Sequence, residues 1–127
     1  MSGWRWIPDN TLTVCHTDLL KYGGTSGLID HAKLDSAMTR ASNLAAYGEP
    51  DLAELAAAYG YGVTRNHPLP DGNKRAALVA IDIFLQLNGQ ELIADEAEVV
   101  RVIQALAAGN LEEPELADWI RAHMQNV

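Results

Sequence analysis

Apolar residues recur at helical spacing along most of the chain. Leu12, Val14, Cys15, Leu19 and Leu20 follow Pro8-Asp9 and predict a first helix reaching about Tyr22. Asp30 reads as the N-cap of a second helix over 30–44, with Leu34, Ala37, Met38 and Ala41 on one face. Asn43 to Pro50 reads as a turn-rich link. Pro50, Asp51 and Glu54 open a third helix, whose stripe is Leu52, Leu55, Ala56, Tyr59 and Val63. From Ala76 to Leu87 nearly every position is apolar, which predicts a helix buried on most sides, stopped by Asn88-Gly89. Asp95 caps a fifth helix carrying Val99, Val100, Val102, Ile103 and Leu106, and a sixth runs from about Pro114 to Met124. No period-2 alternation is convincing. The expected fold is therefore a single all-α domain over residues 1–127: a compact bundle of about six helices around a buried central helix.

Two stretches interrupt this pattern. Tyr22 to Gly27 holds three glycines beside Thr25-Ser26, so it is a loop with unusual backbone angles, either a plain connector or a mobile flap. The second interruption is His67-Pro68-Leu69-Pro70-Asp71-Gly72-Asn73-Lys74-Arg75, immediately before the apolar run. Its prolines forbid a helix across 68–70, and Asp71-Gly72 reads as the turn opening a new one. A histidine, a carboxylate, an amide and two cations thus surround one helix N-terminus, where backbone N–H groups and the dipole favour an anion.

These residue types suit phosphate. Gly72 and Asn73 present backbone and side-chain amides, Arg75 can grip phosphate in a bidentate fork, and Lys74 supplies a point charge. Asp71 is a hard oxygen donor of the kind Mg²⁺ takes beside phosphates. His67 is the residue type most often used as a general base. The same residue types also fit a plain surface loop before a capped helix.

Composition narrows the ligand. The formal net charge is -8, which opposes attraction to nucleic acid or an anionic membrane. Of nine lysines and arginines, Arg65, Lys74 and Arg75 fall within 65–75, which points to a small anionic ligand at that spot. The lone Cys15 reads as a small buried hydrophobe, and His16, His31, His67 and His123 are too scattered for zinc-ligand spacing. One cysteine, no apolar run near ~20 residues and no charged-then-apolar leader together predict a cytoplasmic protein.

His67-x-x-x-Asp71-Gly72-Asn73-Lys74-Arg75 resembles the signature of the Fic/Doc family, in its Doc (death-on-curing) branch, written H-x-F-x-D/N-x-N-K-R. The likeness continues in His16-Thr17-Asp18, in the glycine-rich Tyr22–Leu28 stretch, in Asn43–Tyr47 and in Phe84–Gly89. Leu69 stands where the family has an anchoring phenylalanine. In the Fic branch, which moves AMP from ATP onto a hydroxyl, the motif carries glycine where Lys74 stands and a second, phosphate-holding arginine where Leu78 stands.

The resemblance implies a toxin of a toxin–antitoxin pair. It implies a protein kinase that moves the γ-phosphate of ATP to a threonine of elongation factor Tu and arrests translation. His67 would be the base, Asp71 would hold Mg²⁺, and Gly72, Asn73, Lys74 and Arg75 would bind phosphates. Control would come from a Phd-like antitoxin in trans, in a groove for which Leu28, Met38 and Tyr47 are the candidate walls. Two alternatives stand beside this reading: AMP transfer by the same site, and a catalytically weak module that mainly binds an antitoxin, for which Leu69 is the sequence support.

Overall fold

The computed structural model describes residues 3–8, 11–12, 29–68 and 72–127. Within them the chain forms α1 His31–Tyr47, α2 Leu52–Asn66, α3 Asn73–Leu87, β1 Gln90–Leu92, α4 Glu96–Ala108, α5 Glu113–His123 and β2 Met124–Asn126. The mostly helical expectation holds, with five helices among the described residues rather than about six. The helix expected from Pro8 to Tyr22 lies outside them except for helical Thr11 and Leu12, as does the flap up to Leu28.

Local chemistry sets the helix starts. The Asp30 carboxylate accepts the Lys33 N–H at 3.0 Å. Asp51 accepts the Glu54 N–H at 2.9 Å while Glu54 accepts the Asp51 N–H at 3.2 Å, a reciprocal capping box. Helix α1 runs on to Tyr47, past the expected end near 44, because Asn43-Leu44-Ala45-Ala46 contains no breaker before Gly48 and Pro50.

Among the described residues the most central helix is α2, not the 76–87 run. It packs against α1, α3 and α5. Residues 55–60 and 62–64 are all buried, as is Ala53. Helix α3 buries Ala76, Ala77, Ala80, Ile81, Phe84 and Leu85 but leaves Leu78, Val79, Ile83 and Leu87 half-buried. The reason is size. Ala53, Ala56, Ala57, Ala58, Gly60 and Gly62 let three helices approach α2 at once, whereas bulky apolar residues fill only what lies directly beneath them.

Gly62 marks the closest approach. A Cβ there would stand 3.0 Å from the Ala37 carbonyl oxygen and 3.3 Å from its Cα, both backbone atoms of α1. At Gly60 it would meet the side-chain tip of Ile81, which can turn aside. Gly62→Ala is therefore expected to cost about 1–2 kcal/mol through forced separation of α1 and α2, after the helix-propensity gain is counted. Gly60→Ala should be close to neutral. Urea denaturation of the two variants checks the ranking, and equal midpoints would refute it.

A short antiparallel sheet pairs Gln90 with Asn126, Glu91 with Gln125 and Leu92 with Met124. It corrects the all-helical expectation. Three-residue strands are too short to show an alternating period. At the other end of the chain, Phe84 lies between Tyr59 (ring centroids 5.1 Å apart) and Trp6 (5.8 Å). The Ile7 N–H donates to the Tyr59 hydroxyl at 3.2 Å, and Asn88 exchanges hydrogen bonds with the Arg5 backbone. The N-terminal segment thus covers the C-terminal half of α3 and leaves its first turn to the chemistry below.

Candidate active site

Helices α2 and α3 pack along one another and are joined by a short connection, so the end of α2 and the start of α3 lie at the same end of the pair. His67 is the C-cap of α2. Its backbone is left-handed, with φ 47° and ψ 57°, and its N–H donates to the Val63 carbonyl at 3.1 Å. Among the described residues it is the only non-glycine with positive φ. Glycine is the usual occupant of such a cap, because a Cβ costs roughly 1–2 kcal/mol in this region. His67 is also exposed. An imidazole therefore projects to solvent from a position whose backbone would be more relaxed with glycine.

Pro68 follows, fully buried, and its carbonyl accepts the Asp30 N–H at 2.8 Å. That bond ties the connection after His67 to the start of α1, the point to which the 22–28 stretch leads. Leu69, expected to anchor the loop, lies outside the described residues, as does Asp71. Pro68 is an anchor that the motif comparison passed over. A Pro-x-Pro segment before a helix could have signalled it, since a proline with no N–H to satisfy is cheap to bury.

Gly72 is the N-cap of α3 with φ 80°, a conformation that favours glycine, and Asn73, Lys74 and Arg75 form the first turn. Lys74 and Arg75 are exposed, while Gly72 and Asn73 are half-buried. Between this turn and α4 lies a cleft of about 230 Å³ lined by Lys74, Arg75, Leu78, Val99, Val100, Ile103 and Gln104. Arg65 does not join these cations. Its guanidinium sits 4.7 Å from the Tyr61 ring centroid and donates to the Leu106 carbonyl at 3.4 Å, near the negative end of α4. Among the described residues no three His, Cys, Asp or Glu side chains come together as metal ligands.

Of the expected groove residues, Met38 and Tyr47 are described and differ in exposure. Met38 is buried in the core, and Leu28 lies outside the described residues. Tyr47 is 91% exposed but ends α1, whose 17 residues span about 25 Å from the end tied to Pro68. Around Tyr47 and Leu44 there is a separate cleft of about 430 Å³, with Arg40 and Glu113 paired at 2.6 Å in its wall.

One further carboxylate sits on the motif helix. Burial raises the Asp82 carboxyl above its ordinary range. Its charged form is disfavoured by folding, so ionised Asp82 destabilises the protein fully above the folded pKa; the cost shrinks as pH falls below that value and is gone below the unfolded one. Asp82→Asn should raise the Tm at pH 7, with the gain vanishing by about pH 4 or below, near the unfolded carboxylate value. A Tm difference that does not change with pH would contradict this.

No described helix is long and apolar enough to cross a membrane. The Fic/DOC family model matches residues 6–85, which contain α1, α2, the connecting loop and nearly all of α3. A protein of Escherichia phage P1 named "Protein kinase doc" is 30% identical over 115 residues, covering 90% of each chain. "Toxin Doc" of Mycolicibacterium smegmatis is 40% identical over 79 residues, 60% of each chain. With His67 and the Asn73-Lys74-Arg75 turn brought to one end of the helix pair that this match spans, the chain belongs to the Fic/Doc family, in its Doc toxin branch.

Proposed function

We propose that this protein is the toxin of a toxin–antitoxin pair and transfers the γ-phosphate of ATP to a threonine hydroxyl of elongation factor Tu. The observation that carries the reading is His67: exposed, left-handed, and at the helix-pair end that also holds Lys74 and Arg75. A titratable residue kept where glycine would relax the backbone points to chemistry rather than stability. The name of the phage relative, a protein kinase, supports the same reaction class.

In this reading the neutral imidazole of His67 takes the proton of the acceptor hydroxyl as its oxygen attacks phosphorus. The first turn of α3 holds the phosphates. The Arg75 fork and the Lys74 ammonium bear on the charge of the transferring group, and the left-handed Gly72 lets the backbone come close to an oxygen. Such charge stabilisation supplies most of the rate in phosphoryl transfer. Asp71, which precedes Gly72 in the sequence, is a carboxylate of the kind that magnesium takes together with phosphates. Magnesium, when bound, would neutralise phosphate charge. Lys74 and Leu78 both weigh against AMP transfer: the lysine side chain crowds the position where the Fic branch has glycine, and Leu78 offers no charge to the terminal phosphates.

Inhibition in this reading comes in trans from a Phd-like antitoxin. Exposed Leu44 and Tyr47, in the cleft beside α1, replace Met38 as its apolar anchor positions. The test of function is the intact mass of elongation factor Tu after incubation with ATP, magnesium and this protein. A phosphate increment on one threonine is expected. An AMP increment, or no change, would overturn the reading.

A further inference from the structure

The left-handed backbone of His67 is held from both sides by hydrogen bonds. On the α2 side its own N–H donates to the Val63 carbonyl at 3.1 Å. On the other side stands Pro68, fully buried, whose carbonyl accepts the Asp30 N–H at 2.8 Å. Proline has no N–H, so that carbonyl is the one backbone group by which Pro68 can be hydrogen-bonded. The donor is itself fixed. The Asp30 carboxylate accepts the Lys33 N–H at 3.0 Å, and the Asp30 carbonyl accepts the Leu34 N–H at 2.9 Å. The N–H of an N-cap has no partner within its helix, which leaves that of Asp30 to serve Pro68. Behind this anchor α1 packs on α2 and buries Leu34, Ala37, Met38 and Ala41, so the anchor stands on a fixed frame.

We infer that Asp30 is a positioning residue for the transfer reaction: capped onto α1, it holds Pro68 through its backbone N–H and so aims the His67 imidazole at the acceptor hydroxyl. The inference rests on the reading of His67 as the base and adds the group that orients it. Without this bond the Pro68 carbonyl is left buried and unpaired, and the His67 cap is free to relax toward commoner backbone angles. A reacting group displaced by about 1 Å loses up to roughly 10²-fold in rate. Asp30 therefore bears on the chemical step, although it touches neither substrate.

Three substitutions separate the parts of the device. Asp30→Asn keeps both the cap and the N–H, Asp30→Ala keeps only the N–H, and Asp30→Pro keeps neither. The φ of -82° at Asp30 is close to that of proline. Asp51→Ala, which removes the same kind of cap from α2, is the control. The experiment measures kcat and KM for phosphate transfer to elongation factor Tu. In Asp30→Pro kcat is expected to fall about tenfold or more, and in Asp30→Ala by less, while KM for ATP stays within about twofold. Asp30→Asn and Asp51→Ala should keep kcat within about twofold of wild type. Placed on His67→Gly, Asp30→Pro should cause no further loss, because a residue acting through His67 has nothing left to aim. An unchanged kcat in Asp30→Pro, or an equal further loss on His67→Gly, overturns the inference and leaves the parent reading standing. If Asp30→Pro does not fold, equal kcat in Asp30→Ala and Asp30→Asn overturns it instead. So does an Asp30 amide that exchanges with solvent in the wild type as fast as an unprotected one. A wild type that transfers no phosphate, or that needs no His67 to do so, sinks both readings together.

Discussion

His67→Gly should fold at least as stably as the wild type and lose phosphate transfer by about 10²–10⁴-fold, the usual contribution of a general base. The stability half of the prediction comes from the backbone. At φ 47° glycine removes the strain of a Cβ, worth roughly 1–2 kcal/mol, against a smaller opposing entropy gain in the unfolded chain. The net expectation lies between neutral and about 1 kcal/mol more stable, or a few degrees in Tm for a chain of this size. His67→Ala should lose the same activity without the stability gain. The pairing makes the prediction discriminating. A merely structural histidine would lose stability and activity together, and a spectator would lose neither. Transfer rates and thermal melts of the two variants decide, and comparable transfer by His67→Gly would remove the base assignment.

Lys74→Gly is expected to abolish γ-phosphate transfer, with at most a slight gain of AMP transfer. Lys74 is exposed on the first turn of α3, so its loss should barely touch the core. What changes is the phosphate seat: one cation goes, and room opens for a nucleotide lying in the opposite sense. The gain stays slight because Leu78 still offers no charge to terminal phosphates. Adding Leu78→Arg supplies that charge, so the double variant should raise AMP transfer above Lys74→Gly alone. Transfer from γ-labelled and α-labelled ATP, compared across the three proteins, checks this. An undiminished γ-signal in Lys74→Gly would mean that the lysine does not set the orientation.

Much of the fold was legible because its signals are local. Asp30 and Asp51 cap helices through hydrogen bonds to residues three positions on, and such bonds leave a pattern in the sequence. The rank of the helices was not legible in the same way. Large apolar residues in 76–87 advertise burial, while α2 is central because its alanines and glycines let neighbours close in, a property of pairs of helices. The three-residue strands leave no period to detect.

At the site, the residue types around 67–75 announced a phosphate turn, but the left-handed cap of His67 did not show. The burial of Pro68 and the Asp30 bond that fixes it depend on a residue far away in sequence. Arg65 shows the converse error. Proximity along the chain suggested a third phosphate cation, yet Arg65 lies over Tyr61, one turn back on α2, and reaches the Leu106 carbonyl. Depth along one helix is hidden in the same way, since Met38 is buried in the core and Tyr47 is exposed.

The central claim is that this site moves the terminal phosphate and leaves the nucleotide behind. It is tested most directly by incubating the purified protein and elongation factor Tu with ATP labelled at either the γ- or the α-phosphate. The account predicts label on elongation factor Tu from the γ-position alone, lost in His67→Gly. Label from the α-position would contradict it.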